Sequence, residues 1–406
     1  GADRFVVAGG AVLLGSRLPV VPVDVEVWRL AGLTGADRFE VTAQPGVTVV
    51  VEGDGSAGGD VLVFTGSGGA VTVDLGAGTV EDAGVAGSPD VLFAGLVLVE
   101  VDAAGGAFTL VGTAADDRLE VYPLGASEGV IRAGSLLPEV RYAAVAGGVI
   151  TVDAAGGSDV VAVYGSQASD VITASASQVT LLGQTINLAG LEKLELLGAG
   201  GEDEFRVTAG PVEIRVDGGD PVGTTPGDQL VLEGPGGPVT FEPGPTSDSG
   251  ALVVAGQQRV SFQRIEGVTV LPGFGPVTIL GTSGDDVITL IARDDSTHAG
   301  ADGVEDFTTT VNAGVEVLWL DVASVSVEAG SGADRVVVLA PAPNGATWNV
   351  AVSVDGGPAP AGSDLVVVGT PGSTDTVIFS PAGVSSGTLT IVNLASVIAV
   401  TGVEEV

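Results

Sequence analysis

One short unit recurs along the whole chain and limits what it can fold into. It reads apolar-x-apolar, a Gly-rich corner, an Asp, then apolar-x-apolar. It occurs around Gly35-Ala-Asp37, Asp116-Asp117, Gly157-Ser-Asp159, Gly201-Glu-Asp203, Asp285-Asp286, Gly332-Ala-Asp334 and Asp375. Glycine supplies the positive φ of a tight corner. Aspartate accepts hydrogen bonds from nearby backbone N–H groups in an Asx turn. The flanks are Val-rich runs, such as Val47-Thr-Val-Val-Val51, Val71-Thr-Val-Asp74 and Val149-Ile-Thr-Val152, each bounded by Gly, Asp, Ser or Pro. β-branched runs this short, with turn residues at both ends, are strands. Helical periodicity is nearly absent. The pattern predicts an all-β chain, an elongated β-solenoid-like stack of short strands. Tandem β-sandwich domains are the alternative. Aromatic residues make up only 4% of the chain, which favours the stack, because sandwiches centre on large aromatics.

Longer copies overlie the unit. GGDVLVFTGSGGAVTV from Gly58 matches PGDQLVLEGPGGPVTF from Pro226, GADRFEV from Gly35 matches GEDEFRV from Gly201, and GTAADDRLEV from Gly112 matches GTSGDDVITL from Gly281. The three matches keep one order and nearly one offset. They divide the chain into a half repeat at 1–34, repeats at 35–200 and 201–331, and an incomplete repeat at 332–406. The half repeat is expected to complete a neighbouring or C-terminal repeat.

Composition removes several classes of function. Fourteen Lys and Arg against 51 Asp and Glu give a net charge of −37. Nucleic acid and anionic lipid both require a positive surface, so neither is an expected partner. The absence of cysteine excludes disulfides, zinc–thiolate sites and cysteine nucleophiles. The uncharged stretch from Thr376 to Val403 contains Pro381 and Asn393 and alternates around Leu389-Thr390-Ile391, so it reads as strands, with no membrane span expected.

Catalytic chemistry is poorly supplied. The single histidine, His298, lies in a polar RDDSTHAGADG segment. The adjacent carboxylates Asp116-Asp117 and Asp285-Asp286 would point to opposite faces of a strand and would not converge on a substrate. No catalytic residue is assigned, and an enzyme is not expected. The corner aspartates have two readings. As turn formers they accept backbone N–H groups. As metal ligands, Asp116, Asp117, Asp159, Asp203, Asp285, Asp286 and Asp334 would offer Ca²⁺ the carboxylates and turn carbonyls it prefers. Arg4, Arg38, Arg118 and Arg335 follow corner aspartates and could pair with the carboxylate of a neighbouring turn. Trp28 and Trp319 hold matched positions and read as core, with a sugar-stacking platform as the other reading.

GTSGDDVITL from Gly281, AGVEVLWL from Ala313 and GSGADRVVV from Gly330 follow one another in the order GT-x-GDD, GVE-x-L, G-x-GDD. In this the chain resembles the large acidic Gly/Asp/Val-rich repeat proteins of bacterial surfaces. More distantly it resembles the haemolysin-type nonapeptide proteins, whose β-roll binds calcium, although the nonapeptides are not in tandem here. The resemblance implies an extracellular or cell-surface structural protein, a subunit of a filament, stalk or surface layer, with copies of itself as partners and possible divalent cations. The alternative is a calcium-dependent adhesin or carbohydrate-binding surface module. A stack of this kind exposes strand edges. Head-to-tail assembly is therefore expected through Phe5, Val6, Val7, Val12, Leu13 and Leu14 at one end and Ile391, Val392, Val397, Ile398 and Val400 at the other.

Overall fold

Alternation sets the strands. In Arg38–Thr42 the side chains of Phe39 and Val41 are buried while Arg38 and Thr42 face solvent, and Glu204–Thr208 buries Phe205 and Val207 in the same way. A strand of four to eight residues contributes two or three such apolar groups. It can hold its place only if strands stack many times over. The computed structural model describes residues 2–406 apart from 55–58, 87–89, 135–136, 294–305, 341–347, 359–363, 371–376 and 392–396. His298, Asp375 and Val392 lie outside the described residues. The protein is all-β, 55% strand and 1% helix, in two long mixed sheets of many short strands.

The chain forms two compact units, one of residues 1–165 with 172–196, the other of 166–171 with 197–406. In the first unit, Arg4–Ala8, Arg38–Thr42, Val61–Thr65, Leu98–Asp102 and Glu139–Ala143 lie side by side and parallel. In the other sheet, Val27–Ala31, Thr48–Glu52 and Val91–Ala94 do the same. Successive parallel strands are joined through a strand of the opposite sheet, so the chain coils. Parallel neighbours of this kind require a crossover, which a hairpin-built sandwich lacks. At intervals the coil is interrupted by a three-stranded antiparallel meander that stays in one sheet. Arg118–Gly125, Glu128–Ala133 and Glu139–Ala143 form one, and Val71–Asp74, Thr79–Asp82 and Val91–Ala94 another.

The second unit repeats the plan. Phe274–Leu280, Ser324–Glu328, Ala351–Asp355 and Val397–Thr401 run parallel in one sheet, and Glu204–Thr208, Gln229–Glu233, Gly267–Val270 and Glu316–Trp319 in the other. Meanders occupy 237–263, 287–319 and 377–401. The matched copies have equivalent roles. Both GTAADDRLEV and GTSGDDVITL lead into the first strand of a meander, Arg118–Gly125 and Val287–Arg293. The described residues of the 376–403 stretch form three strands, and no helix among the described residues is long and apolar enough to cross a membrane.

The strands assigned to assembly are largely enclosed. Arg4–Ala8 lies between Ala11–Leu14 and Arg38–Thr42, with the Phe5 ring stacked 5.0 Å from Phe39 and Val7 fully buried. Val6 pairs with Leu13, Phe5 with Leu14 and Val7 with Val12, while Val12 also bridges to Val20. Ser386–Ile391 lies inside its meander, and Val397–Thr401, with buried Ile398 and Val400, has partners on both sides. Because the meander folds back, its outward strand is Val377–Gly383, with Val377, Ile378 and Phe379 exposed.

Candidate functional site: the aspartate ladders

The GT-x-x-DD element shows how a corner is built. Asp286 folds back so that its carboxylate accepts the Thr282 N–H at 2.6 Å and the Thr282 hydroxyl at 2.9 Å, and it also accepts the Asn312 side-chain amide. Asp117 accepts the Thr113 N–H at 2.6 Å and its hydroxyl at 3.1 Å. This is the expected turn chemistry, and glycine makes room for it. A Cβ on Gly281 would collide with the Ala329 carbonyl oxygen and sit 2.8 Å from Asp286 Oδ2. Gly112 faces Asp117 Oδ2 and the Ala154 carbonyl in the same way.

The backbone N–H of each corner aspartate points along the stack to the carboxylate of the next corner. Asp286 N–H donates to Asp334 Oδ1 at 2.8 Å, Asp334 N–H to Asp364 Oδ1 at 2.8 Å, and Asp364 N–H to Glu404 Oε2 at 2.9 Å. A second ladder in the same unit runs Asp170 to Asp203 at 2.8 Å, Asp203 to Asp228 at 2.7 Å, and Asp228 to Glu266 at 2.8 Å. In the first unit, Asp117 donates to Asp159 and Asp159 to Glu192, while Asp3 donates to Asp37 and Asp37 to Asp60. Asp116 and Asp285 take the flanking N–H groups of Ser158 and Ala333. Of each adjacent pair, one aspartate bonds within its own corner and the other to the next coil. The two carboxylates therefore do not converge.

The sequence separations follow from the architecture. A plain coil separates Asp37 from Asp60 by 23 positions and Asp203 from Asp228 by 25. A coil that carries a meander separates Asp117 from Asp159 by 42 positions and Asp286 from Asp334 by 48.

Of the residues assigned to metal, Asp117 and Asp159 share one ladder, Asp286 and Asp334 share another, and Asp203 belongs to a third. Sequence reasoning named Asp37 as a corner but did not assign it a site role, and it missed Asp60, Asp170, Asp228 and Asp364 and the terminal acceptors Glu192, Glu266 and Glu404. Glu192 and Glu404 stand in the Gly-Leu-Glu and Gly-Val-Glu elements, so the signal was present without its meaning. Among the described residues no three acidic side chains are grouped to hold a metal.

The inner ladder carboxylates are buried, while the terminal acceptors Glu192 and Glu404 are exposed. Asp159, Asp203, Asp228, Asp334 and Asp364 are no more than 2% exposed. Burial pushes the Asp228, Asp334 and Asp364 carboxyls above the ordinary aspartate value. It pushes Asp203 up to about 6, with the neighbouring charges of Asp228 and Asp170 adding to the effect.

Arg4, Arg38 and Arg118, which follow corner aspartates, pair with strand glutamates and not with turn carboxylates. Arg38 bridges Glu40 at 3.0 Å and Glu100 at 3.4 Å, and Arg118 reaches Glu195 at 2.8 Å. Arg4 pairs with Glu40 on the adjacent parallel strand, while Glu100 lies two strands from Arg38, with Val61–Thr65 between, still within reach of a guanidinium on the same sheet face. Arg4 holds the Glu40 carboxyl below its usual value. Both matched tryptophans are core. Trp319 is fully buried and donates its indole N–H to Thr309 at 2.9 Å, and Trp28 is 7% exposed.

No protein-family model and no curated protein matches the chain.

Proposed function

We propose that the chain is a structural protein of the cell surface or extracellular space, a building block of a filament, stalk or layer whose copies meet through strand contacts. The observation that carries this reading is the use of the corner carboxylates. Each of them that the ladders contain is engaged with the backbone of its own or a neighbouring corner. Such a ladder supplies mechanical continuity from coil to coil, as repeat arrays do through nearest-neighbour interfaces. A net charge of −37 keeps such a surface soluble.

Strand addition is the contact this fold favours. Val377–Gly383 is the first strand of its meander and pairs with Ser386–Ile391. The corresponding first strands Arg118–Gly125 and Gly237–Pro243 each carry a parallel neighbour on their other side. An apolar, uncharged edge recruits a strand. The test is sedimentation over a wide concentration range, with electron microscopy of the same samples. Concentration-dependent association that Ile378→Lys abolishes is expected. A wild-type protein that stays monomeric at the highest attainable concentration overturns the proposal.

A further inference from the structure

Several ladder aspartates keep one carboxylate oxygen without any hydrogen-bond donor, among them Asp203 Oδ2, Asp228 Oδ2 and Asp364 Oδ2. Each of these oxygens faces a backbone carbonyl oxygen across the space that a corner glycine leaves empty. A Cβ on Gly356 would lie 2.6 Å from Asp364 Oδ2 and 2.5 Å from the Gly402 carbonyl oxygen. A Cβ on Gly198 would collide with both Asp203 Oδ2 and the Gly218 carbonyl oxygen, and one on Gly218 with both Asp228 Oδ2 and the Arg264 carbonyl oxygen. Two acceptors that share one dry space repel each other. A single proton on the carboxyl converts the pair into an O–H···O=C hydrogen bond.

The charged groups around these carboxyls are acidic. Asp203 faces Asp170 and Asp228; Asp228 faces Asp217, Glu202 and Glu266; Asp364 faces Glu404 and accepts the N–H of Asp334. The nearby base Arg264 is held by Asp217. We propose that the ladders bind protons and make this fold stronger in mild acid. Asp203, Asp228 and Asp364 take protons from solvent onto their orphan oxygens and donate them to the carbonyls of Gly218, Arg264 and Gly402. Most proteins lose stability on acidification, because their carboxylates are held below the ordinary range. Here the shift has the opposite sign. The folded carboxyls bind protons more tightly than the unfolded ones. The added stability is complete below the unfolded aspartate value and is lost as pH rises through the folded value, about 6 for Asp203. The inference rests on the ladder geometry and is independent of the surface role proposed above.

The experiment is a series of thermal melts of the whole chain between about pH 8 and about pH 5, with a chelator present throughout so that no divalent cation contributes. The midpoint is expected to rise as pH falls. Asp203→Asn keeps the Oδ1 acceptor for Asp170 and presents an N–H donor to the Gly218 carbonyl, so it imitates the protonated side chain. It should melt higher than wild type at the alkaline end and show a flatter pH dependence. Asp228→Asn provides the same comparison one corner along. Infrared spectra of the wild type should show a protonated carboxyl stretch that disappears above the folded value, which needs no variant. A midpoint that is flat or falls with acidification, or asparagine variants with the wild-type slope, overturns the inference.

Discussion

Gly281 and Gly156 each lie in a Gly-rich corner a few residues before an aspartate, yet they should respond very differently to alanine. Neither has a backbone conformation closed to an L side chain, so the comparison isolates space. At Gly156 nothing lies within 4 Å of the added methyl. At Gly281 the methyl meets the Ala329 carbonyl, which belongs to the backbone and cannot rotate away. Relief requires the strand ends to separate. That puts two hydrogen bonds at risk, Gly281 N–H to the Glu328 carbonyl at 2.8 Å and Thr282 N–H to Asp286 at 2.6 Å. Overpacking costs about 1–3 kcal/mol and each of the two bonds about 1 kcal/mol net, so Gly281→Ala should lose about 3–5 kcal/mol. Gly156→Ala should stay within about 0.5 kcal/mol of wild type. Urea unfolding followed by circular dichroism, with the slope checked for constancy, measures both. If the two variants agree within about 0.5 kcal/mol, glycine is not there to admit the aspartate carboxylate, and the account of the corner fails.

Other outcomes follow from the same contacts. Asp228→Ala leaves the buried Asp203 N–H without an acceptor and should cost about 1–3 kcal/mol in urea unfolding at neutral pH, whereas Asp228→Asn keeps that acceptor and should be at least as stable as wild type. Trp348→Ala removes a fully buried indole that donates to the Asp306 carbonyl at 3.1 Å, and should cost about 3–5 kcal/mol together with a change in the near-ultraviolet dichroism. Arg38→Ala breaks exposed pairs with Glu40 and Glu100, so a loss under about 1 kcal/mol that shrinks with added salt is expected.

The fold class was readable because the strand signal is local. The Val71–Asp74 and Val149–Asp153 strands coincide with runs of β-branched residues bounded by turn formers. Asx turns were readable for the same reason, as at Asp102 with Ala104 and Asp153 with Ala155. The ladders were not. Their donors and acceptors lie 23 to 48 residues apart, and the separation changes whenever a meander is inserted. Nothing local distinguishes a strand that crosses to the other sheet from one that turns back. Arg38–Thr42 crosses and Arg118–Gly125 turns back, although both follow an Asp-Arg corner. The same fold-back hid the outward edge, which lies at Val377–Gly383 and not at Val397–Thr401. The arginine partners depend on the order in which strands stack, so Arg38 meeting Glu100, two strands away across Val61–Thr65, could not be read from either segment alone.

Amide hydrogen exchange at the corner aspartates tests the central claim most directly, because a turn N–H that faces water exchanges freely and a ladder N–H does not. The N–H groups of Asp203, Asp286 and Asp334 donate to buried carboxylates of the next corner. They should therefore exchange as slowly as the interior amides of the flanking strands, at the free energy of opening the stack. Asp364→Ala should accelerate exchange at Asp334 while leaving Asp203, in the other ladder, protected. Exchange of these three amides at the rate of exposed turn residues would contradict the account, because the coils would then be held together by their strands alone.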